Sequence, residues 1–195
     1  MTRILRLGGA ALLALALAAL AGCSTTYVLD NQVQTFSHLA GPPAQPATYR
    51  FERLLSQQVD PAQAQLEALA DPALHQAGFR RDDAAPRYSV QVTARVVRVL
   101  SPYADPWQFG FGYWGRHGAF GAGFPRMESP WYQREVGVVV RDIAANKVVY
   151  ETRAVNDGPY FDNATVLPAM FQAALQGFPN PPQGPRKVDV PLPPR

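Results

Sequence analysis

Between Tyr88 and Leu100 the chain alternates Tyr88, Val90, Val92, Ala94 and Val96 with Ser89, Gln91, Thr93 and Arg95. A period of two marks a strand with one buried and one wet face. At Val96-Val97 and Val99 the apolar parity slips, which predicts a bulge or burial of both faces near the strand end. Tyr132 to Ile143 and Lys147 to Val155 repeat the pattern, with Val136, Val138 and Val140 on one side and Ala144-Ala145-Asn146 between the two segments. They predict an antiparallel hairpin. Tyr49, Phe51 and Leu54-Leu55, interrupted by Arg50, Glu52 and Arg53, predict a shorter strand with an exposed face.

Helical spacing occurs twice. Asp60-Pro61-Ala62-Gln63 offers an N-cap, a first-turn proline and a capping-box partner, ahead of Leu66, Leu69, Leu74, Ala77 and a terminating Gly78. Pro72 within this stretch predicts a kink or a two-part helix. Val166, Leu167, Met170, Phe171, Ala174 and Leu175 form an apolar stripe from about Ala164 to Gln176, behind Asp162, Asn163 and Thr165 and before Gly177 and Pro179. Two striped helices need a surface to cover. The expected fold is α+β, a two-layer sandwich of an antiparallel sheet with two helices on one face, in the order β-α-β-β-β-α.

The ends of the chain read differently from its middle. Ile4 to Leu20 is almost wholly apolar behind Arg3 and Arg6, the layout of an export signal, and its apolar part falls short of the roughly 20 residues that span a bilayer as a helix. The run ends in Leu20-Ala21-Gly22-Cys23, with Ser24 next. This resembles a bacterial lipobox. The resemblance implies cleavage before Cys23, diacylglycerol on its thiol and acylation (palmitate, for example) of the new α-amine, which together anchor stably where one chain is marginal. Ser24, in place of an aspartate, implies sorting to the outer membrane. Residues 1–22 are therefore read as signal peptide, 23–47 as a lipidated tether with room for one early strand, 48–178 as the domain, and 179–195 as a proline-rich tail. Seven prolines from Phe178 onward predict that the tail joins neither sheet nor helix.

Loss of residues 1–22 removes Arg3 and Arg6 and lowers the formal net charge from +3 to +1. No basic run exists beyond Arg80-Arg81 and Arg186-Lys187, so nucleic acid is not an expected partner. Cys23 is the sole cysteine, and once lipidated it leaves no thiol for a disulfide, a metal or a nucleophile. His38, His75 and His117 are scattered without metal-site spacing, so neither a metal nor a cofactor is expected. No G-x-S-x-G is present. Gly110 to Gly115 fits G-x-G-x-x-G, but neither a preceding strand and turn nor a following helix supports a nucleotide site there.

One segment has an unusual composition. Within 101–130, Tyr103, Trp107, Phe109, Phe111, Tyr113, Trp114, Phe120 and Phe124 are interspersed with glycines. Each such ring would bury about 150–250 Å² on packing. Three readings stay open: a recognition loop for an envelope glycan or protein, a wedge at the membrane surface, or rings folded back over the sheet. The functional expectation is a non-enzymatic, outer-membrane-anchored lipoprotein facing the periplasm, with a binding or envelope-maintenance role and the membrane as its partner through the N-terminal lipid. The alternative is an envelope hydrolase acting on glycan or lipid beneath the aromatic loop.

Thr48-Tyr49-Arg50-Phe51, Ala77-Gly78-Phe79, Tyr88-Ser89-Val90-Gln91-Val92, Val138 to Asp142, Lys147-Val148-Val149-Tyr150 and Phe178-Pro179, together with Cys23 and the glycine-aromatic loop, resemble bacterial lipoproteins carrying domain of unknown function 4136. Tyr150 stands where family members often have Trp, and Arg153-Ala154 where they often have Gly. The resemblance implies an α+β envelope lipoprotein. It transfers no catalytic residues.

Overall fold

The computed structural model describes residues 26–101, 111–115, 118–122, 130–159 and 162–192. In chain order they form β1 (Val28–Ser37), β2 (Ala47–Phe51), α1 (Leu55–Gln58), α2 (Gln63–Gln76), β3 (Phe79–Arg81), β4 (Tyr88–Val99), β5 (Phe111–Gly115), β6 (Gly118–Ala122), β7 (Trp131–Asp142), β8 (Lys147–Pro159), α3 (Asn163–Leu175) and β9 (Arg186–Pro191). Seven strands make one sheet in the order β3-β2-β4-β7-β8-β1-β9, and β5 and β6 pair separately. Val28 to Leu192 is one compact unit.

The β7–β8 hairpin forms as its alternation predicts, with Val138 opposite Thr152 and Asn146 at φ 49° in the turn. The sheet is nevertheless mixed rather than antiparallel, because β2 runs parallel to both β3 and β4. α1 and α2 provide the crossover that parallel neighbours require. The element order also differs from β-α-β-β-β-α, since β1, β3 and β9 join the sheet and two strands lie inside the 101–130 segment.

The early strand that the tether had room for is present, and the segment read as a proline-rich tail contributes a strand as well. β1 lies between β8 and β9, pairing Thr35 with Thr152 and Asn31 with Val188. The domain therefore begins at Val28, twenty residues before the expected boundary at 48. β9 contradicts the expectation that the tail joins neither sheet nor helix. Its prolines fall where strands tolerate them, Pro185 just before the strand and Pro191 as its last residue on an edge, while Val188, Val190 and Leu192 are buried.

α2 runs unbroken from Gln63 to Gln76 with Pro72 inside it. Pro72 is exposed, whereas Ala70, Ala73 and Leu74 are buried, so packing of the inner face holds the helix across the missing N–H. The expected capping box is absent. Asp60 Oδ1 accepts instead from the Ala62 N–H at 2.8 Å, and the Gln63 amide donates to Glu67 and to the Val92 carbonyl. Gly78, at φ 96°, takes the left-handed conformation that the sequence assigns it. α3 is capped by Asp162, whose side chain accepts from the Ala164 N–H.

β4 shows no bulge: its register with β7 is unbroken from Tyr88 opposite Asp142 to Val99 opposite Trp131. The irregularity lies instead in the β7–β8 pair, between Val140 and Arg141. The apolar phase of β4 slips because its second half leaves the core, with residues 93–96 exposed. One face of the sheet carries Tyr49, Val90, Val92, Val136, Val138, Val140, Tyr150, Val33 and Leu29, and these join Leu74, Met170 and Phe171 of α2 and α3 in a single core.

Candidate binding surface

The aromatic residues proposed for recognition separate into two groups. Tyr103, Trp107, Phe109 and Phe124, like Cys23, lie outside the described residues. Phe111, Tyr113 and Trp114 fall in β5 and Phe120 in β6, in a register that places Tyr113 opposite Phe120 and Phe111 opposite Ala122. The segment read as a loop thus contains a hairpin. Alternating glycines leave a period of two in the larger residues, a strand signal that the glycine content obscured. Phe111 to Gly115 of the G-x-G-x-x-G stretch form β5, and among the described residues the next element is β6.

A second constellation was not anticipated. Register places Arg50 of β2, Ser89 of β4 and Arg141 of β7 side by side across the sheet. Ser89 is buried and donates to Glu52 Oε2 at 2.5 Å, while Arg141 Nε stands 4.0 Å from the same carboxylate and its Nη1 donates to Asn146. Together with Arg53 and Ile143 these residues border a cleft of about 410 Å³. Phe51 also lines it, so charged and apolar groups share its walls, and it is open to solvent. Paired, solvated charges of this kind contribute little stability, and nothing in their geometry marks a proton-transfer pair.

Beside the cleft, Arg53 Nε and Nη2 donate to Glu67 Oε1 and Oε2 at 2.6 and 2.7 Å. The carboxylate raises the Arg53 pKa, first through those hydrogen bonds. Gln57 Nε2 and Gln63 Nε2 donate to the Val92 carbonyl at 3.0 and 3.4 Å. These contacts fasten α1 and α2 to the middle of β4.

The face toward α3 carries its own polar ladder. Thr152 donates to the Ala174 carbonyl at 2.8 Å, so its single proton is committed and Thr35 must donate in the 2.9 Å pair between the two hydroxyls. Arg186 of β9 donates to Thr35 Oγ1 at 3.2 Å and to the Gln176 carbonyl at 2.8 Å. Strands thereby satisfy carbonyls that the C-terminus of α3 leaves open. Near that end, Ala73, Gln76, Leu175, Phe178 and Val190 border a second cavity of about 450 Å³.

The residues that carry the family resemblance meet in the core. Phe51, Tyr49, Phe79 and Tyr88 form a chain of edge-on rings at 5.3, 6.0 and 5.8 Å, and Phe178 links Phe79 at 5.0 Å to Tyr150 at 4.9 Å. Edge-to-face pairs add about 0.5–1.5 kcal/mol each beyond their burial. This part of the motif set is therefore a packing unit. Among the described residues, no three His, Cys, Asp or Glu side chains stand together as metal ligands would.

No curated protein matches the chain. Among solved structures, a PDZ domain protein from Parabacteroides distasonis is similar at 14% identity and a TM-score of 0.51, over 88% of this chain and 40% of that one. The likeness is one of fold, and this chain spans about two fifths of that protein's length. A PelC dodecamer from Paraburkholderia phytofirmans is similar at 13% identity and a TM-score of 0.46, over 74% of this chain and 94% of that one. Residues 33–180 match the family described as Domain of unknown function (DUF4136), and the chain belongs to that family.

Proposed function

We propose that the protein is a lipid-anchored lipoprotein on the periplasmic face of the outer membrane, with a non-catalytic binding or envelope-maintenance role. The observation that carries this reading is Cys23, which ends the apolar run Leu20-Ala21-Gly22-Cys23 only five positions before β1 starts at Val28. An extended chain covers at most about 3.3–3.6 Å per residue, so acylation of Cys23 would keep the first strand within about 20 Å of the bilayer. The glycine-aromatic segment is the candidate contact with an envelope protein or glycan. A two-layer α+β sandwich suits this reading: α2 and α3 share one core with one face of the sheet, and the opposite face pairs its charges in water, as Glu135 does with Arg153 at 3.5 Å.

Mass spectrometry of the membrane-extracted protein tests the anchor. Acyl mass on residue 23 is expected, with unprocessed precursor accumulating in Cys23→Ala; normal processing of that variant would overturn the reading. In-cell crosslinking with residues 105–124 deleted tests the loop, and an unchanged partner set would remove it from the binding role.

A further inference from the structure

Among the described residues, half of β4 lacks a neighbour on one side. β2 pairs with it only from Tyr88 to Val90, and the Glu52 N–H extends the ladder to the Val90 carbonyl at 2.9 Å. The chain then turns into α1, and the side chains of Gln57 and Gln63 take over at the Val92 carbonyl. β7 meanwhile accompanies β4 to Val99. In an antiparallel ladder, alternate residues turn both backbone groups away from the neighbour. Val90 and Val92 fix the parity, so Ala94, Val96 and Arg98 present N–H and C=O to the side that β2 has left. Among the described residues none of these groups has a backbone partner on that side.

The outer edges of the sheet are defended against added strands. β3 has three residues, and β9 carries Lys187 between Asp30 and Asp189 and ends at Pro191; shortness, lysine and proline are the usual protections. The inner half-edge has neither proline nor bulge. Its flanks are apolar: Val96 is 38% and Leu100 79% exposed, and α1 at its start presents Leu54, Leu55 and Val59 at 55, 82 and 82%.

We propose that Ala94 to Arg98 is a docking edge for an extended segment of a partner protein, one that alternates acidic with apolar side chains. The backbone groups call for a strand, and the apolar flanks call for apolar side chains within it. Charge sets the rest. Arg95 and Arg98 border the edge, Glu135 opposite Arg95 is engaged by Arg153 at 3.5 Å, and Arg53 is engaged by Glu67. A second copy of this chain would align the arginines of both chains along one seam, so complementarity selects an acidic strand. The proposal goes beyond the anchored, loop-binding reading and rests on neither the lipid nor the loop.

Residue-resolved amide exchange on the full mature protein in detergent micelles tests it, with an acetylated hexapeptide of alternating glutamate and valine as probe. In the free protein the amides of Ala94, Val96 and Arg98 should exchange faster than those of Thr93, Arg95 and Val97, which face β7. The peptide should slow those three by at least about tenfold, while a lysine-valine peptide leaves them unchanged. Val96→Pro should abolish that protection, since its N–H lies outside the β4–β7 ladder. If Val96→Pro misfolds, Arg95→Glu with Arg98→Glu should reverse the preference between the two peptides. Slow exchange at the three amides in dilute free protein, or no protection by the glutamate-valine peptide, would overturn the proposal. Protection that grows with protein concentration alone, with a dimer in sedimentation, would give the edge to a second copy and overturn the acidic occupant.

Discussion

The carboxylate of Glu67 is 3% exposed and receives two hydrogen bonds from Arg53, whose side chain is 37% exposed. One partner of this pair is dry and the other reaches water, so removing either has a different cost. Arg53→Ala leaves a buried carboxylate with Gln63 as its remaining donor at 3.3 Å. Glu67→Ala leaves a guanidinium that can rotate into solvent, so no buried charge is stranded. The prediction is an asymmetry: urea denaturation should show Arg53→Ala to be the more destabilised of the two. Equal losses would mean that the pair acts only through packing of the side-chain stems.

Two buried phenols make the fold sensitive to alkali. Burial, followed by its hydrogen bond to Asp71 and the Asp71 charge, pushes the Tyr49 pKa far above the ordinary tyrosine range. Burial also raises that of Tyr150, against the opposing influence of Thr35, Arg186 and Thr152. Unfolded tyrosines titrate near about 10. Below that pH both states keep the proton and the fold has its full stability; above it the unfolded chain releases protons that the folded chain retains, and stability falls as pH rises. The denaturation midpoint should therefore drop above about pH 10. Tyr150→Phe should soften that drop, because it removes one of the two phenols whose proton the fold retains. An unaltered alkaline slope in this variant would remove Tyr150 from the account.

β9 should be indispensable despite its proline-rich surroundings. Val188, Val190 and Leu192 are 4, 6 and 3% exposed, and each fully buried side chain of this kind contributes about 1.5–3 kcal/mol. Arg186 also holds the Gln176 carbonyl at the end of α3, and the Val188 carbonyl accepts from Asn31 Nδ2 at 3.2 Å. Ending the chain after Pro185 would forfeit all of these, a loss comparable with the roughly 5–15 kcal/mol that keeps a domain folded. The truncated protein should lack a cooperative thermal transition by circular dichroism. A two-state melt close to that of the full chain would show that β9 is an appendage.

What the sequence reveals follows from what each face meets. Val90-Val92 and Val136-Val138-Val140 are legible because alternate residues meet the same core. β1 obeys the same geometry, but its buried positions are Leu29, Asn31, Val33 and Thr35, and the two polar residues, bonded to Val188 and Thr152, break the apolar signal. In β9 the alternation Val188, Val190, Leu192 is present, yet the flanking prolines outweigh it. The cleft at Arg50, Ser89 and Arg141 depends on register between three separate strands, and a single sequence carries no trace of register. The open half of β4 has a visible sign, the phase slip at Val96-Val97, whose cause is departure from the core rather than a bulge.

Gly137 faces Thr93 across the β4–β7 ladder, and a Cβ at Gly137 would stand 2.7 Å from Thr93 Oγ1. Thr93 is β-branched and turns only with difficulty about χ1, so Gly137→Ala should cost about 1–3 kcal/mol through overpacking. With Thr93→Ala already present the obstacle is gone, the next atom being the Thr152 carbonyl oxygen at 4.0 Å. Alanine should then outperform glycine by about 0.5–1 kcal/mol, because glycine in a strand loses more conformational freedom on folding. The same substitution thus changes sign with its neighbour, and a double-mutant cycle in urea should return a coupling within the roughly 0.5–3 kcal/mol seen for touching residues. If Gly137→Ala costs as much beside Ala at 93 as beside Thr, crowding by Thr93 is not what requires glycine at this position.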